Sequence, residues 1–172
     1  MAIDIEFLKS NLKMPARPTL FDVEISGPAV SKFDGGRFKF TCKAASLPQD
    51  TIGKIEVPFH GRKVPYAGDR NYADWNTTII MDNSWDIYRK LVKWKASYND
   101  PEMNVAMYND MNAYKCDGFI TSYMPNGNVA LRLKIVGLFP YDIQQLELSW
   151  ETTDTTADLN VTWMYDYWNV LD

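Results

Sequence analysis

The chain has 172 residues, of which 46% are apolar, 14% aromatic and 23% charged. This length and apolar content suit one domain with its own core, residues 1–172, and the aromatic content favours a β-rich class. Two cysteines are too few for a disulfide framework, and no apolar run reaches the length of a membrane span.

The N-terminus predicts synthesis in a cytoplasm without export by a signal peptide. Residues 1–13 mix charged with apolar side chains, so they lack the uninterrupted apolar core of such a peptide. We expect a short N-terminal arm of about residues 1–17 ahead of the domain.

The net charge of −4 is unevenly distributed along the chain. From Gly137 to Asp172 there are seven acidic residues and neither Lys nor Arg. This separation favours surfaces of opposite sign that guide copies of the chain into register. The alternative is that these acids simply solvate the C-terminal strands. No strong basic stripe for nucleic acid is present.

Alternation of apolar and polar residues predicts about eight or nine strands. In chain order the strands and hairpins are expected at residues 21–25, 37–43, 54–64, 75–81, 116–124, 129–135, 146–150 and 159–168. Turns or breaks are expected at residues 60–61, 67–70, 125–127 and 137–140. One helix is expected at about Ser84 to Ser97, and a loop from Glu102 to Ala113.

The hairpin at residues 54–64 has an unusual feature, which is proline in or beside both of its strands. Pro58 and Pro65 cannot donate hydrogen bonds to a central ladder. The sequence therefore places this hairpin at a sheet edge or in an arm.

No pattern of residues indicates catalysis, a cofactor or a metal. His60 is the only histidine, and no phosphate-binding loop, nucleophile elbow or metal-ligand spacing occurs. The acidic pairs Asp69 with Asp74 and Asp154 with Asp158 are expected by chance in a chain with 22 acidic residues. We therefore expect no catalytic residue, no cofactor and no metal site.

The C-terminal aromatic run leaves a different class open. Trp163, Tyr165, Tyr167 and Trp168 are suited to stacking on sugars, as in a carbohydrate-binding β-sandwich. Alternation over several residues is more typical of a core face.

Several stretches, in the same order along the chain, resemble the tail tube proteins of contractile-tailed, T4-like bacteriophages. The most specific is the stretch 54–70 with its Ala67-Gly68-Asp69-Arg70 motif, followed by Asp74-Trp75. The other stretches are residues 16–25, 38–48, 137–140, 146–150 and 166–168. Two segments, 27–36 and 102–113, depart from the family pattern, and the chain continues past Trp168.

The resemblance implies a mainly β fold, a β-sandwich or rolled β-barrel with one flanking α-helix. It implies a non-enzymatic virion protein of the tail, assembled in the host cytoplasm as stacked hexameric rings around a channel. The implied partners are the chain itself, the sheath, the tape measure, the baseplate and the tail terminator. DNA passes through the lumen without specific binding, so we expect a neutral or acidic lining that excludes Lys39 and Lys43.

We expect the hairpin arm from Lys54 to Tyr66 to form the contact between rings. The candidate residues are Lys54, Ile55, Val57, Phe59, Arg62, Lys63 and Tyr66. Alternatives within the same class are a tube initiator or terminator of the baseplate type and the tube of a phage-derived contractile injection system.

Overall fold

The computed structural model describes residues 15–28, 33, 35–107, 110–151 and 153–171. Nearly all of the expected N-terminal arm lies outside these residues. Within them the strands are β1 Phe21–Ile25, β2 Cys42–Ala45, β3 Asp50–Phe59, β4 Arg62–Tyr72, β5 Trp75–Ile80, β6 Cys116–Tyr123, β7 Val129–Ile143, β8 Asp158–Met164 and β9 Tyr167–Leu171. The helices are α1 Gly35–Thr41 and α2 Asp86–Tyr98, with a 3₁₀ turn at Met111–Ala113. The mainly β class is confirmed.

Strand β7 joins the two halves of the main sheet. Its first part pairs with β6 and β9, and β1 lies beyond β6. Its last part, from Phe139, pairs with β8, which is followed by β5 and β2. Gly137, with φ of 73°, lies at the change of partners, in a conformation that favours glycine. Two antiparallel four-stranded sheets, β1-β6-β7-β9 and β7-β8-β5-β2, therefore share β7.

The core is built around three fully buried tryptophans, Trp75, Trp94 and Trp163. Trp94 comes from α2, which also buries Ile87 and Leu91 at helical spacing. The indole N–H of each of the three donates to an acceptor at 2.6 to 2.8 Å, so all three buried donors are paired.

The predicted strand at residues 37–43 is wrong in its first part, which is helix α1. Phe38 is fully buried whereas Phe40 is 85% exposed. Residues two positions apart in a helix lie about 200° apart around its axis, so Phe38 enters the core while Phe40 points away from it. The expectation of only one helix is corrected for the same reason.

Further boundaries differ from the sequence-based expectations, and the single strand expected at 159–168 is two strands, β8 and β9, with Tyr165 and Asp166 between them. Residues 67–70 lie within β4, and residues 137–140 lie within β7. In β4, a Cβ on Gly68 would come 3.0 Å from the Gly53 carbonyl oxygen, so glycine here allows two backbones to approach at a β-bulge. Residues 146–150 have the expected alternation but form no strand.

Candidate self-assembly surfaces

The hairpin of β3 and β4 is a separate two-stranded sheet, here called the arm (residues 50–72). Its turn residues His60 and Gly61 have φ of 44° and 79°. Two positive φ values are the signature of the tight turn that matches the twist of a hairpin. The turn at His60-Gly61 is thus confirmed, and the arm extends four residues further back and six further forward than the predicted 54–66.

One face of the arm is apolar along its outer half. The ladder sets Ile55 opposite Tyr66, Val57 opposite Val64 and Phe59 opposite Arg62. The five apolar side chains are between 41% and 65% exposed. Contiguous apolar surface of this kind marks an interaction site. The face is therefore ready for a partner in the free subunit.

The opposite face of the arm is charged and internally paired. Glu56 accepts from the ammonium groups of Lys54, at 2.5 Å, and Lys63, at 3.0 Å. These two contacts, the Lys54 contact foremost, hold the pKa of the Glu56 carboxyl below its usual range. The charges of these three side chains are therefore paired within the arm.

The structure thus divides the candidate contact residues between two faces. Ile55, Val57, Phe59, Arg62 and Tyr66 share the apolar face, and Lys54 and Lys63 lie on the other. The sequence prediction missed Val64. Alternation carried across a two-residue turn would have placed Val64 opposite Val57 and revealed it.

The base of the arm is fastened to the body. Within the base, Asp50 pairs with Arg70 at 3.3 Å and holds the two strands of the arm together. The contacts with the body come from Tyr165. Tyr165, at the junction of β8 and β9, donates its hydroxyl to the Gln49 carbonyl at 3.2 Å and packs edge-on against Tyr72. These contacts fix the direction in which the arm leaves the main sheets.

The outer face of β5 and β8 is polar and uncharged at its centre. The Thr78 hydroxyl donates to Asn160, and the Thr162 hydroxyl donates to the Asn76 side chain, each at 2.8 Å. The pairs stand side by side on the ladder between β5 and β8. These four side chains carry no charge, so the centre of the face offers no cation to a phosphate.

Both lysines that were expected to stay out of a channel lining are held by carboxylates. Lys39 contacts Asp22 at 3.0 Å and Glu24 at 3.1 Å, on the side of β1. The hydrogen bonds that Lys39 donates to these acids, Asp22 foremost, raise the pKa of Lys39 above its usual range. Lys43 pairs with Asp158 at 2.5 Å, at the end of the β5-β8 face.

The acidic C-terminal stretch does not form a uniformly negative face. Asp158 is paired with Lys43, and Asp166 is paired with Lys115 at 2.6 Å. The loop between β7 and β8 holds Glu147, Glu151 and Asp154.

The residues with catalytic potential are not brought together. His60 lies at the arm's turn, and the described residues contain no group of three or more metal-binding side chains. Cys42 and Cys116 are free thiols, and burial raises the pKa of Cys42 to about 12. No helix within the described residues combines the length and apolar character that a membrane crossing needs.

The C-terminal aromatic run belongs mostly to the core. Trp163 is fully buried, and Tyr165 and Trp168 pack against the core cluster. Tyr167 alone of the four is largely exposed. A flat stacking platform is therefore absent from this described segment.

Comparison with known proteins identifies a family that spans nearly the whole chain. A family model for phage tail tube proteins matches residues 12–171. The tail tube protein gp19 of Enterobacteria phage T4 is 34% identical over 154 residues, which cover 89% of this chain and 90% of the relative. The tail tube protein of Serratia phage KSP90 is 30% identical over 118 residues, covering 66% of each.

Solved structures agree in fold. The sheath/tube terminator of the extracellular contractile injection system PVC has a TM-score of 0.69 at 15% identity, covering 94% of this chain and 99% of that one. A chain of the PVC sheath-tube complex has a TM-score of 0.65 at 15% identity, covering 95% and 96%. These likenesses concern the fold alone. The sequence relatives go further: the chain belongs to the phage tail tube protein family and is a structural protein of a contractile bacteriophage tail.

Proposed function

We propose that this chain polymerises with itself into stacked hexameric rings that form the inner tail tube. The tube encloses the tape measure protein and conducts DNA into the host during contraction. The observation that carries the proposal is the uncovered apolar face of the arm, in a chain of the tail tube family. The subunit assembles in the host cytoplasm and has no enzymatic activity.

Ring closure requires a head-to-tail contact between unlike surfaces. The sheet β7-β8-β5-β2 offers its two edges, since β2 and the last part of β7 have no second ladder partner among the described residues. Its four strands alternate in direction. Strand β2 of one copy beside β7 of the next is therefore again antiparallel, and pairing there removes two exposed edges.

Stacking requires a second contact along the axis, and the arm supplies it. Its outer half carries five exposed apolar side chains on one face. Full burial of one such side chain contributes about 1.5–3 kcal/mol. The arm of one ring lies with this face against the adjacent ring.

The uncharged face of β5 and β8 lines the channel. DNA slides past a surface without cations because each neutralised phosphate would add salt-dependent affinity. The paired state of Thr78 with Asn160, and of Thr162 with Asn76, supports this orientation. The tube's further contacts are with the sheath outside, the baseplate at one end and the terminator at the other.

A tube terminator is the second candidate, because the PVC terminator shares the fold over nearly its whole length. A terminator stops at one ring, whereas a tube subunit continues to stack. The 34% identity to tail tube proteins over 89% of the chain favours the tube.

Negative-stain electron microscopy of the purified chain separates the candidates. Long hollow tubes of uniform width are expected. Single rings that never stack would favour the terminator, and a chain that forms neither rings nor tubes under any solution condition would contradict the proposal.

A further inference from the structure

The connection between β7 and β8, residues 144–157, is here called the acidic loop. Leu146 packs against the core, but Leu148 is 74% exposed and Trp150 is fully exposed. Glu147 and Glu151 flank these two side chains and form no ion pair with any described residue. The loop thus presents two large apolar groups surrounded by unpaired carboxylates.

Helix α2 carries a complementary surface, here called the basic stripe. Tyr88, Val92 and Ala96 recur every four residues on the side away from the core, and the first two are 39% and 43% exposed. Arg89 and Lys93 border them and, within the described part of the chain, pair with no acid. The stripe also forms one wall of a shallow groove, whose other side is the end of β7.

The acidic loop does not cover the basic stripe of its own subunit. The loop is held at both ends, where the Gln144 amide donates to the Asn160 carbonyl at 2.9 Å and the Met81 amide donates to the Ala157 carbonyl at 2.8 Å. Between these ends Trp150 remains fully exposed. Both surfaces are therefore available to another molecule.

We propose that the acidic loop of one copy docks on the basic stripe of an adjacent copy. Trp150 and Leu148 pack on Tyr88 and Val92, and Glu147 and Glu151 face Arg89 and Lys93. An aromatic anchor supplies most of the affinity of such a contact, and the surrounding charges set its register and exclude wrong orientations. The contact rests on the proposed self-assembly, and it adds a specific pair of surfaces to it.

A complementation experiment tests this pairing between copies. One variant, Glu147→Lys with Glu151→Lys, reverses the loop; a second, Arg89→Glu with Lys93→Glu, reverses the stripe. Each alone is expected to raise the protein concentration needed for assembly at least tenfold. Mixed in equal amounts, they are expected to assemble again, because the loop of each now matches the stripe of the other.

Two further variants complete the experiment, the first as a charge control and the second as a test of the aromatic anchor. Asp74→Lys with Glu102→Lys makes the same change in net charge as the loop variant, elsewhere on the surface, and is expected to assemble as the unaltered chain does. Trp150→Ser removes the anchor from a fully exposed position, so it is expected to fold normally, with an unchanged circular dichroism melt, and to assemble poorly.

The possible outcomes separate the two levels of the account. If the loop and stripe variants assemble like the unaltered chain, or if their mixture stays unassembled, the docking inference is overturned while the tube remains. If the unaltered chain itself forms no rings or tubes, the proposed function fails first. Sedimentation followed by electron microscopy reads out all of these cases.

Discussion

The Trp163 indole shows how a single polar contact stabilises this core. Its N–H donates at 2.8 Å to the hydroxyl of Thr77, and both side chains are buried. The neighbouring Thr78 instead donates across the outer face to Asn160. Two adjacent threonines therefore have the same chemistry but opposite surroundings.

We expect Thr77→Val to destabilise the unassembled subunit by about 1–3 kcal/mol, because it leaves a buried donor unpaired. Thr78→Val, the matched control, is expected to change the free energy of unfolding by no more than about 0.5 kcal/mol. Urea unfolding of both variants measures the difference. Equal losses would contradict the role given to the buried pair.

At the scale of elements, the arm is the part of the molecule whose structure makes least sense in a lone subunit. A two-stranded sheet is marginally stable by itself, and this one also exposes its apolar face. Lys63 and Val64 are sequence neighbours that point to opposite faces of it. They therefore allow the two faces to be tested separately.

Val64→Asn is expected to leave the subunit's melting temperature nearly unchanged and to raise the concentration needed for tube formation about tenfold or more, since 1.4 kcal/mol is a factor of ten. Lys63→Asn removes only the ion pair with Glu56 on the other face, and a much smaller effect is expected. Pelleting assays at a series of protein concentrations give both values. Equal effects of the two changes would contradict docking through the apolar face.

The arm also has a predictable pH dependence. The pKa of Glu56 is lowered in the folded arm, so its stabilising contribution is complete above the ordinary glutamate pKa of about 4.3 and is lost as the pH falls through the lower, folded value. An NMR titration is expected to place the Glu56 carboxyl below the ordinary value. The Lys54→Met and Lys63→Met double variant should return the Glu56 pKa to that value. A Glu56 pKa at or above the ordinary value in the unaltered chain would refute the ion pairs.

Alternation of apolar and polar residues predicts some strands of this chain correctly and others not. The arm could be predicted because alternation, a two-residue turn and edge prolines all agree on it. Residues 38–42 alternate equally well but are mostly helix, since only Phe38 and not Phe40 is drawn into the core. Residues 146–150 alternate too, yet a strand needs a partner strand, and none of the described strands pairs with this segment. The candidate contact was predicted as one set of residues, although alternation carried across the turn divides it into the two faces of the arm.

Across the whole molecule, the sheet β7-β8-β5-β2 combines two edges that no described strand covers with an outer face that is uncharged at its centre. These properties agree with a wall shared between copies around a channel for DNA. They contrast with the surrounding surface, where lysines and carboxylates occur in pairs.

The charge of this face gives a prediction for the assembled tube. Asn160→Lys adds one cation per subunit to the proposed lining, and we expect such tubes to retain short DNA duplexes at low salt and to release them as salt rises. Glu102→Lys changes the charge by two units instead of one, outside the proposed lining, and is the control. Co-sedimentation with labelled DNA measures retention. Retention by the control tubes as well would contradict the placement of Asn160 in the channel.

A cryo-electron microscopy reconstruction of the assembled chain would locate the β5-β8 face and the arm in the tube. We predict hexameric rings in which the face bearing Thr78 and Asn160 lines an open channel and the apolar face of the arm is buried against the adjacent ring. A reconstruction with the arm's apolar face in solvent and the β5-β8 face on the outside of the particle would contradict the account.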